Sequence, residues 1–420
     1  MKKITACVLG VALSLVIGST AYAGGLFVPN AYGLSARGLG MGNALTGIDG
    51  DYSVTFFNPA ALGHLKSSQV DLGYMYAQPN FSGGPKGGKM TKFDTANKSA
   101  EIGFTMNLAS MFASNHGLGL GFDIAMDDNG QAFLEFNDIR AAKGQWGRYG
   151  LSSVTMVAGL GVEILPILHI GGGTFISVKG ETTMKARTDL AGHTSDEEIV
   201  MQAKPVIAPM GSIFLPFERF SVGAAYRGKS VGSFGPIAAN TEATVSDSTL
   251  SVLNLKMNFK DLMVPQQVAV GFGVYPVKSL LIAVDCTWMN WKDFENEIKH
   301  GDSARAGEIF KTKDVFVPRL GLEWQTFDHF FLRLGYYFED TPFTTPGDST
   351  NSILDNAKHA GTLGVGYDIT QAKGLKYPLS VNAAYIHQYL VPRTIKTADG
   401  VEMKSDGNLD GGGITLSFRF

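Results

Sequence analysis

The chain has 420 residues, of which 45% are hydrophobic, 17% are charged and 52 are glycine; 35 basic and 38 acidic side chains leave a formal charge of −3. Charge this sparse, set against about 25% in soluble domains, excludes a highly charged helical or disordered protein. With no basic surplus, the composition also argues against a nucleic-acid partner.

Lys2 and Lys3 precede an apolar run from about Ile4 to Ile17, and Ala21-Tyr22-Ala23 is a small-x-small cleavage site. Residues 1–23 therefore read as a cleaved secretory signal peptide. The alternative, a membrane anchor, needs about 18 or more apolar residues, and this run is shorter. Cys7 leaves with the signal, so the mature chain keeps Cys286 alone and forms no intramolecular disulfide. No Cys/His cluster has ligand spacing, so neither a metal nor a cofactor is expected.

Residues 24–66 carry glycines at 24, 25, 33, 38, 40, 42, 47 and 50 and show no regular alternation. Such a segment either hangs in the periplasm or folds back into a lumen. From residue 67 to 420 the pattern changes to period two. Ile102, Phe104, Met106 and Leu108 alternate with polar or small residues, as do Leu118, Leu120, Phe122 and Ile124, and later Leu280, Ile282, Val284, Cys286 and Trp288. Strands are expected near 68–79, 99–113, 117–129, 147–163, 167–185, 203–216, 219–231, 251–275, 279–293, 314–326, 329–340, 357–370, 377–392 and 409–420. Short connections centre on Ser114-Asn115-His116, Leu165-Pro166, Pro216-Phe217-Glu218, Tyr275-Pro276-Val277, Asp328 and Lys373-Gly374. Long ones fill roughly 80–98, 130–146, 186–202, 232–250, 294–313, 341–356 and 393–408.

A soluble sandwich would alternate too, so the direction of the greasy face has to be settled separately. Opposite it stand glycines and the charges Asp71, Glu101, Asp123, Asp285, Arg319, Glu323, Arg333 and Asp368, which suit a wet lumen. Tyr74 and Tyr76, Trp288 and Trp291, and Tyr385 and Tyr389 gather near strand ends like interfacial girdles. The chain ends Ile414, Leu416, Phe418, Phe420, an alternating strand that resembles the assembly signal of bacterial outer-membrane barrels. The fold class is thus all-β: a transmembrane antiparallel β-barrel of about 14 strands, with short periplasmic turns and long outer loops. A lumen that wide is not filled by wall side chains alone, which favours 24–66 as a hatch inside it. Gly223 to Ser230 matches a phosphate loop and Gly228 to Gly232 a hydrolase elbow, but both lie in strand-like sequence with no helix following.

Within the N-terminal segment runs Arg37-Gly38-Leu39-Gly40-Met41-Gly42-Asn43-Ala44, followed by Phe56-Phe57-Asn58-Pro59-Ala60. This resembles the FadL family of long-chain fatty-acid channels, the OMPP1/FadL/TodX type, whose hatch carries an Asn-Pro-Ala motif after a Gly-Asn-Ala stretch. Similarity continues in Trp288-Met289-Asn290-Trp291 and in Leu332-Arg333-Leu334-Gly335-Tyr336-Tyr337-Phe338-Glu339-Asp340-Thr341-Pro342. The resemblance implies a passive channel, not an enzyme, in the outer membrane of a Gram-negative bacterium. It would take up hydrophobic molecules, long-chain fatty acids first, by hatch rearrangement and lateral release into the membrane. Alternatives are uptake of monoaromatic hydrocarbons by the same route, a general diffusion porin without a hatch, and a membrane lipase. Asn58, Pro59 and Ala60 are the implied hatch motif, Gly38, Gly40 and Gly42 its glycines, and Leu26, Phe27, Lys185 and Arg187 the ligand-binding candidates. For Lys185 and Arg187 the reading as two solvated loop charges stays equally open. The kink in strand three that provides the family's exit falls at Asn129-Gly130, for which a plain loop start is the other reading. Expected partners are the hydrophobic ligand, outer-membrane lipid and lipopolysaccharide, and the barrel-assembly machinery through Phe420; the chain is expected to be a monomer.

Overall fold

The computed structural model describes residues 33–88, 90–94, 96–128, 134–137, 146–189, 194–203, 206–245, 248–293, 312–342, 344, 356–370, 377–396 and 402–420. Several strand ends, among them 146–153, 177–189, 194–203, 231–245 and 248–263, are described by backbone only. Fourteen antiparallel strands close into one barrel. They are β1 (Gln69–Pro85), β2 (Asn97–Asn107), β3 (Leu118–Asp128 and Leu134–Asn137), β4 (Trp146–Leu165), β5 (Leu168–Asp189), β6 (Thr194–Ala203 and Val206–Pro216) and β7 (Phe220–Arg227 and Ser230–Val245). The circuit continues with β8 (Ser248–Val264 and Gln267–Val277), β9 (Leu280–Met289), β10 (Val315–Phe327), β11 (Phe330–Glu339), β12 (Lys358–Ile369), β13 (Leu379–Lys396) and β14 (Glu402–Arg419). Each strand pairs with its sequence neighbours, and β14 returns to β1 in register from Gln69↔Arg419 to Pro85↔Met403. Reciprocal bonds between Ser68 and Phe420, 3.1 and 2.9 Å, carry the seam to the last residue. Closure is what lipid demands, because hydrocarbon offers no partner to an open edge.

Alternation sorts the two faces as read from the sequence. Leu72, Tyr74, Ile102, Leu120, Val270, Phe272, Leu334, Leu363 and Ile414 are exposed on the outside, whereas Asp71, Glu101, Asp123, Asp285, Arg319 and Arg333 are buried in the lumen. Outside exposure is contact with lipid here, not with water. Cys286 shares the outward face of β9.

Three expectations need correction. The second strand stops at Asn107, not 113, because the Asn107 carboxamide caps a one-turn helix at Leu108–Met111, accepting from Ser110 N at 3.1 Å. The long connections 130–146, 186–202, 232–250 and 393–408 hold much strand, since β3 to β8, β13 and β14 stay paired beyond the band of apolar side chains. β9 ends at Met289, and Trp291 turns inward, 4% exposed, instead of joining an outer girdle. The turn that carries it is held by Trp291 N donating to Met289 O at 3.0 Å and Thr312 Oγ1 to Trp291 O at 2.9 Å. In agreement with the alternation around Gly223, that residue lies in strand β7, and Lys229 pairs with Asp293 at 2.7 Å.

Leu334→Arg, on the outward face midway along β11, is expected to destabilise the inserted barrel by about 2–4 kcal/mol. Reversible urea unfolding in lipid vesicles measures the cost.

Candidate functional site

Residues 33–66 run inside the barrel as α1 (Ala36–Gly40), α2 (Val54–Phe57) and a 3₁₀ turn (Pro59–His64). Ser35 opens α1, its hydroxyl accepting from Gly38 N at 2.9 Å. The helix ends where Gly42 takes φ +61°, and a Cβ there would lie 2.9 Å from Tyr336 N of the wall. Glycine satisfies both the left-handed backbone and the close approach. Gly40 backs directly onto Gly364 of β12, and a Cβ on Gly38 would strike Leu45.

Asn58 joins three parts of this segment and the wall. Its Oδ1 accepts from Ala60 N at 3.2 Å and caps the 3₁₀ turn, while Nδ2 donates to Thr46 O at 2.7 Å and Ile213 O at 3.1 Å. Pro59 takes the first position of the turn, where a missing N–H costs nothing. Ala60 N also donates to Ser212 Oγ of β6 at 2.8 Å, and the residue is fully buried. A larger side chain at Ala60 has no room.

The wall is cut to receive this segment. A Cβ on Gly223 would come within 1.8 Å of Thr46 O, on Gly117 within 1.9 Å of Gly63 O, and on Gly119 within 2.0 Å of Leu62 O. On Gly171 it would meet Ala60 N at 2.2 Å, and on Gly335 it would meet Gly42 N at 2.1 Å. Luminal glycines on β3, β5, β7 and β11 thus form a socket for main chain rather than water-facing gaps.

Side chains of the wall then satisfy the segment's carbonyls and charges. Arg319 Nη1 donates to Gly42 O at 3.1 Å, Thr362 Oγ1 to Gly40 O at 3.1 Å, and Ser221 Oγ to Gly47 O at 2.6 Å. Arg227 Nη1 reaches Phe56 O and Phe57 O at 3.4 and 3.2 Å and stands over the Phe56 ring. Arg37 clasps Glu323 through two bonds of 2.8 and 2.9 Å, and Arg333 holds the same carboxylate at 2.6 Å. Burial alone would lower the Arg37 guanidinium, but Glu323 and Asp51 outweigh it and hold it above its ordinary value. Against β1 to β3 the character changes: the Tyr52 ring lies on Gly103, and its hydroxyl donates to Leu34 O and, at 3.3 Å, to Glu101. Burial, then Glu101, Asp71, Asp51 and Asp123, push this phenol well up, so it stays a neutral donor.

Between these polar contacts the segment is apolar, with Leu34, Met41, Leu45, Ile48 and Phe56 packed against Val157, Phe175 and Met210, and a separate apolar tier forms around α1. Leu39 of α1 packs with luminal Met75, Met289, Trp291, Val317, Tyr337, Ile386 and Leu409, drawn from β1, β10, β11, β13, β14 and the end of β9. Tyr337 is fully buried, accepts from Gln388 Nε2 at 2.6 Å and carries the Arg319 guanidinium over its ring. Just outward, Lys358 of β12 meets Glu339 of β11 at 3.2 Å.

The structure thus brings Asn58, Pro59, Ala60, Gly38, Gly40 and Gly42 together in the lumen. Lys185 and Arg187 lie on β5 rather than in a loop, opposite Arg148 and Trp146 of β4 and Glu198 and Asp196 of β6; their side chains lie outside the described residues. Leu26, Phe27, Asn129 and Gly130 also lie outside them. Beside the kink candidate, Asp128 pairs with Ser152 and Leu134 with Tyr149, so β3 has five residues where β4 has two. The apolar tier and the socket were missed in the sequence, although the recurrence Gly117-Gly119-Gly121 and Gly171-Gly173 on one strand face was their visible trace.

A closed, lipid-facing barrel with a filled floor and a greasy luminal tier defines an outer-membrane channel for hydrophobic solutes. The chain matches the family described as outer membrane protein transport protein (OMPP1/FadL/TodX) over residues 14–420, and it belongs to that family of transport channels. It is 26% identical over 444 residues to alkane uptake protein A of Marinobacter nauticus, covering 100% of this chain and 97% of that protein. Its fold is similar to a Pseudomonas aeruginosa FadL homologue (TM-score 0.63, 13% identity, 92% of this chain and 98% of that one). It is similar also to the toluene transporter TodX of P. putida (TM-score 0.57, 12% identity, 92% and 98%).

Two substitutions test the socket and its ion pairs. Glu323→Gln leaves two buried guanidiniums without their carboxylate, and the expected loss is about 3–5 kcal/mol, read as a lower unfolding midpoint. Gly223→Ala is expected to unseat the segment around Thr46 and expose it to protease, whereas Gly361→Ala, with nothing within 4 Å of the added carbon, leaves digestion unchanged.

Proposed function

We propose that this chain is a passive outer-membrane channel for molecules with a long hydrocarbon tail, held in the apolar tier, with rearrangement of residues 24–66 as a hatch and sideways release at β3. Residues 1–23 act as a cleaved signal peptide, and Phe420 presents the last strand to the assembly machinery. The observation that carries the substrate class is the tier itself, with Leu39, Met75, Met289, Ile386 and Leu409 around Trp291 and Tyr337. Such a surface holds an alkyl chain at about 0.8 kcal/mol per buried methylene, whereas a polar solute would lose its water there without recompense.

The head of the molecule is the finer question. Cations bordering the tier are engaged, Arg319 with Gly42 O and Lys358 with Glu339, which favours a neutral chain of the alkane class. Full-length similarity to an alkane uptake protein supports the same reading. Long-chain fatty acids are the second reading, favoured by Lys358: a substrate carboxylate would replace that of Glu339 on the ammonium, and Lys185 and Arg187 would be further partners. The five-against-two register between β3 and β4 supports an exit at Asn129-Gly130.

Uptake of labelled hexadecane, oleate and toluene, compared in cells lacking their own channel, tests both readings. Hexadecane entry is expected; oleate entry that falls with Lys358→Gln establishes the acid, and toluene alone would overturn the long-chain reading. Asn58→Ala is expected to lower uptake while the barrel still resists SDS until heated; unchanged uptake would remove the hatch motif from the mechanism.

A further inference from the structure

The short turns of the barrel are not alike. Between β2 and β3, α3 (Leu108–Met111) raises Met111 and Phe112 to 63% and 70% exposure, among the highest of the large apolar side chains. This is a built feature rather than a frayed end. Asn107 caps the turn, Phe112 N donates to Leu108 O at 3.0 Å, and Ser114 N donates to Ala109 O at 2.9 Å. The neighbouring turn, between β4 and β5, exposes Ile164, Leu165 and Ile167 by 46, 51 and 52%. The two turns are locked side by side, because Leu118 pairs with Val162, Glu163 N donates to Gly117 O at 2.8 Å, and Glu163 Oε2 accepts from Gly117 N at 2.8 Å.

Charge separates these turns from the others described. Residues 108–117 and 164–168 contain no Asp, Glu, Lys or Arg. The β6–β7 turn carries Glu218 and Arg219, the β8–β9 turn Lys278, and the β10–β11 turn Asp328. Water would surround a periplasmic turn that stood clear of the membrane, and five large apolar groups on one sector would then be an unpaid cost of burialless exposure. They continue without a break into the outward faces of β2 to β5, where Ile102, Leu120, Leu160 and Ile170 already face lipid.

We infer that the β2–β3 and β4–β5 turns form an apolar apron that inserts into the periplasmic leaflet, with acyl chains of phospholipid as its occupant. The physics is that of an interfacial amphipathic element: apolar side chains enter the headgroup and acyl boundary, and the capped turn keeps its own backbone groups paired. The uncharged turns occupy one sector, whereas exposed Val277 and Phe327 elsewhere adjoin Lys278 and Asp328, so β2 to β5 are seated deeper in that leaflet than the charged turns allow. The apron does not depend on which molecule the channel carries.

The test places an environment-sensitive nitrobenzoxadiazole label at Phe112→Cys in the full chain, with Cys7→Ser and Cys286→Ser, in phosphatidylethanolamine and phosphatidylglycerol vesicles. Heat-modifiable migration in SDS confirms that each variant has folded. Leu165→Cys serves as a second apron position and Lys278→Cys as the charged-turn control. Labels at 112 and 165 are expected to emit to the blue of the label at 278 and to be quenched by brominated acyl chains more than by aqueous iodide. Emission and iodide quenching at 112 and 165 equal to those at 278 overturn the inference. So does a water-exposed label that is shielded only when periplasmic extract is added, since the apron would then be a protein-docking surface.

Discussion

A strand crossing hydrocarbon must give every backbone N–H and C=O a partner, and in this chain that requirement is met by the ladder that joins β14 back to β1. Everything inside follows from the size of the ring that closes. Fourteen strands enclose more space than wall side chains fill, so a lumen results, and its contents have to be supplied by the chain itself. The N-terminal segment supplies them as main chain as much as side chain. Its turns bring many carbonyls and amides into a space with little water, where an unpaired group costs about 1–3 kcal/mol. Wall donors such as Arg319, Arg227, Thr362 and Ser221 meet those carbonyls, and Asp285 accepts from Thr46 N at 2.7 Å.

Glycine and charge do opposite work at the same interface. Removing the Cβ at Gly223, Gly117 and Gly335 lets backbone approach backbone, which fixes depth and angle. The Arg37–Glu323–Arg333 cluster then fixes register, because a buried carboxylate shared by two guanidiniums tolerates little displacement. Such a cluster is a weak source of net stability, since desolvation opposes the Coulomb attraction. Its consequence is specificity of seating. On the proposed hatch reading, any rearrangement near α1 has to keep these pairs or exchange them, whereas Tyr52 faces Glu101, Asp71 and Asp123 with no guanidinium bonded to it. The segment is therefore held by different means around the ring, through guanidiniums toward β7 to β12 and through glycine seats at Gly117 and Gly119 and neutral hydrogen bonds toward β1 to β3.

Much of this was legible beforehand because period two is a local signal. Alternation in Leu118-Gly119-Leu120-Gly121-Phe122 fixed which face of β3 meets lipid, and the terminal Phe420 marked the closing strand. Strand ends were less legible. Asn107 looks like one more polar residue in an alternating run, and only its cap on Ser110 reveals that the run has become a helix. The pairing of β5 to β8 above the membrane depends on neighbours distant in sequence, so Arg187 read as loop. Trp291 read as girdle because a tryptophan near a strand end fits both faces; its inward turn depends on Thr312, across a long connection. The Asn-Pro-Ala motif was visible as a turn starter, but Asn58 reaching Thr46 and Ile213 at once is a three-dimensional fact.

The lumen's two tiers make a further argument about direction of transport. A hydrocarbon resting on Leu39 has below it a segment packed through Leu45, Ile48, Phe56 and Phe57 against Val157, Phe175 and Met210 and tied to the wall by buried polar bonds. Driving an alkyl chain through that segment would break bonds such as Arg319 to Gly42 and the Glu323 pairs, each leaving a buried polar group bare. On the proposed reading, sideways movement between β3 and β4 leaves those bonds intact. Between β3 and β4 the described pairing ends at Asp128↔Ser152 and resumes at Leu134↔Tyr149. The same sector, β2 to β5, carries the uncharged turns on the periplasmic rim. On the proposed reading of lateral release, this sector is where a greasy solute would pass through the wall and into lipid, with the packed segment left in its seat.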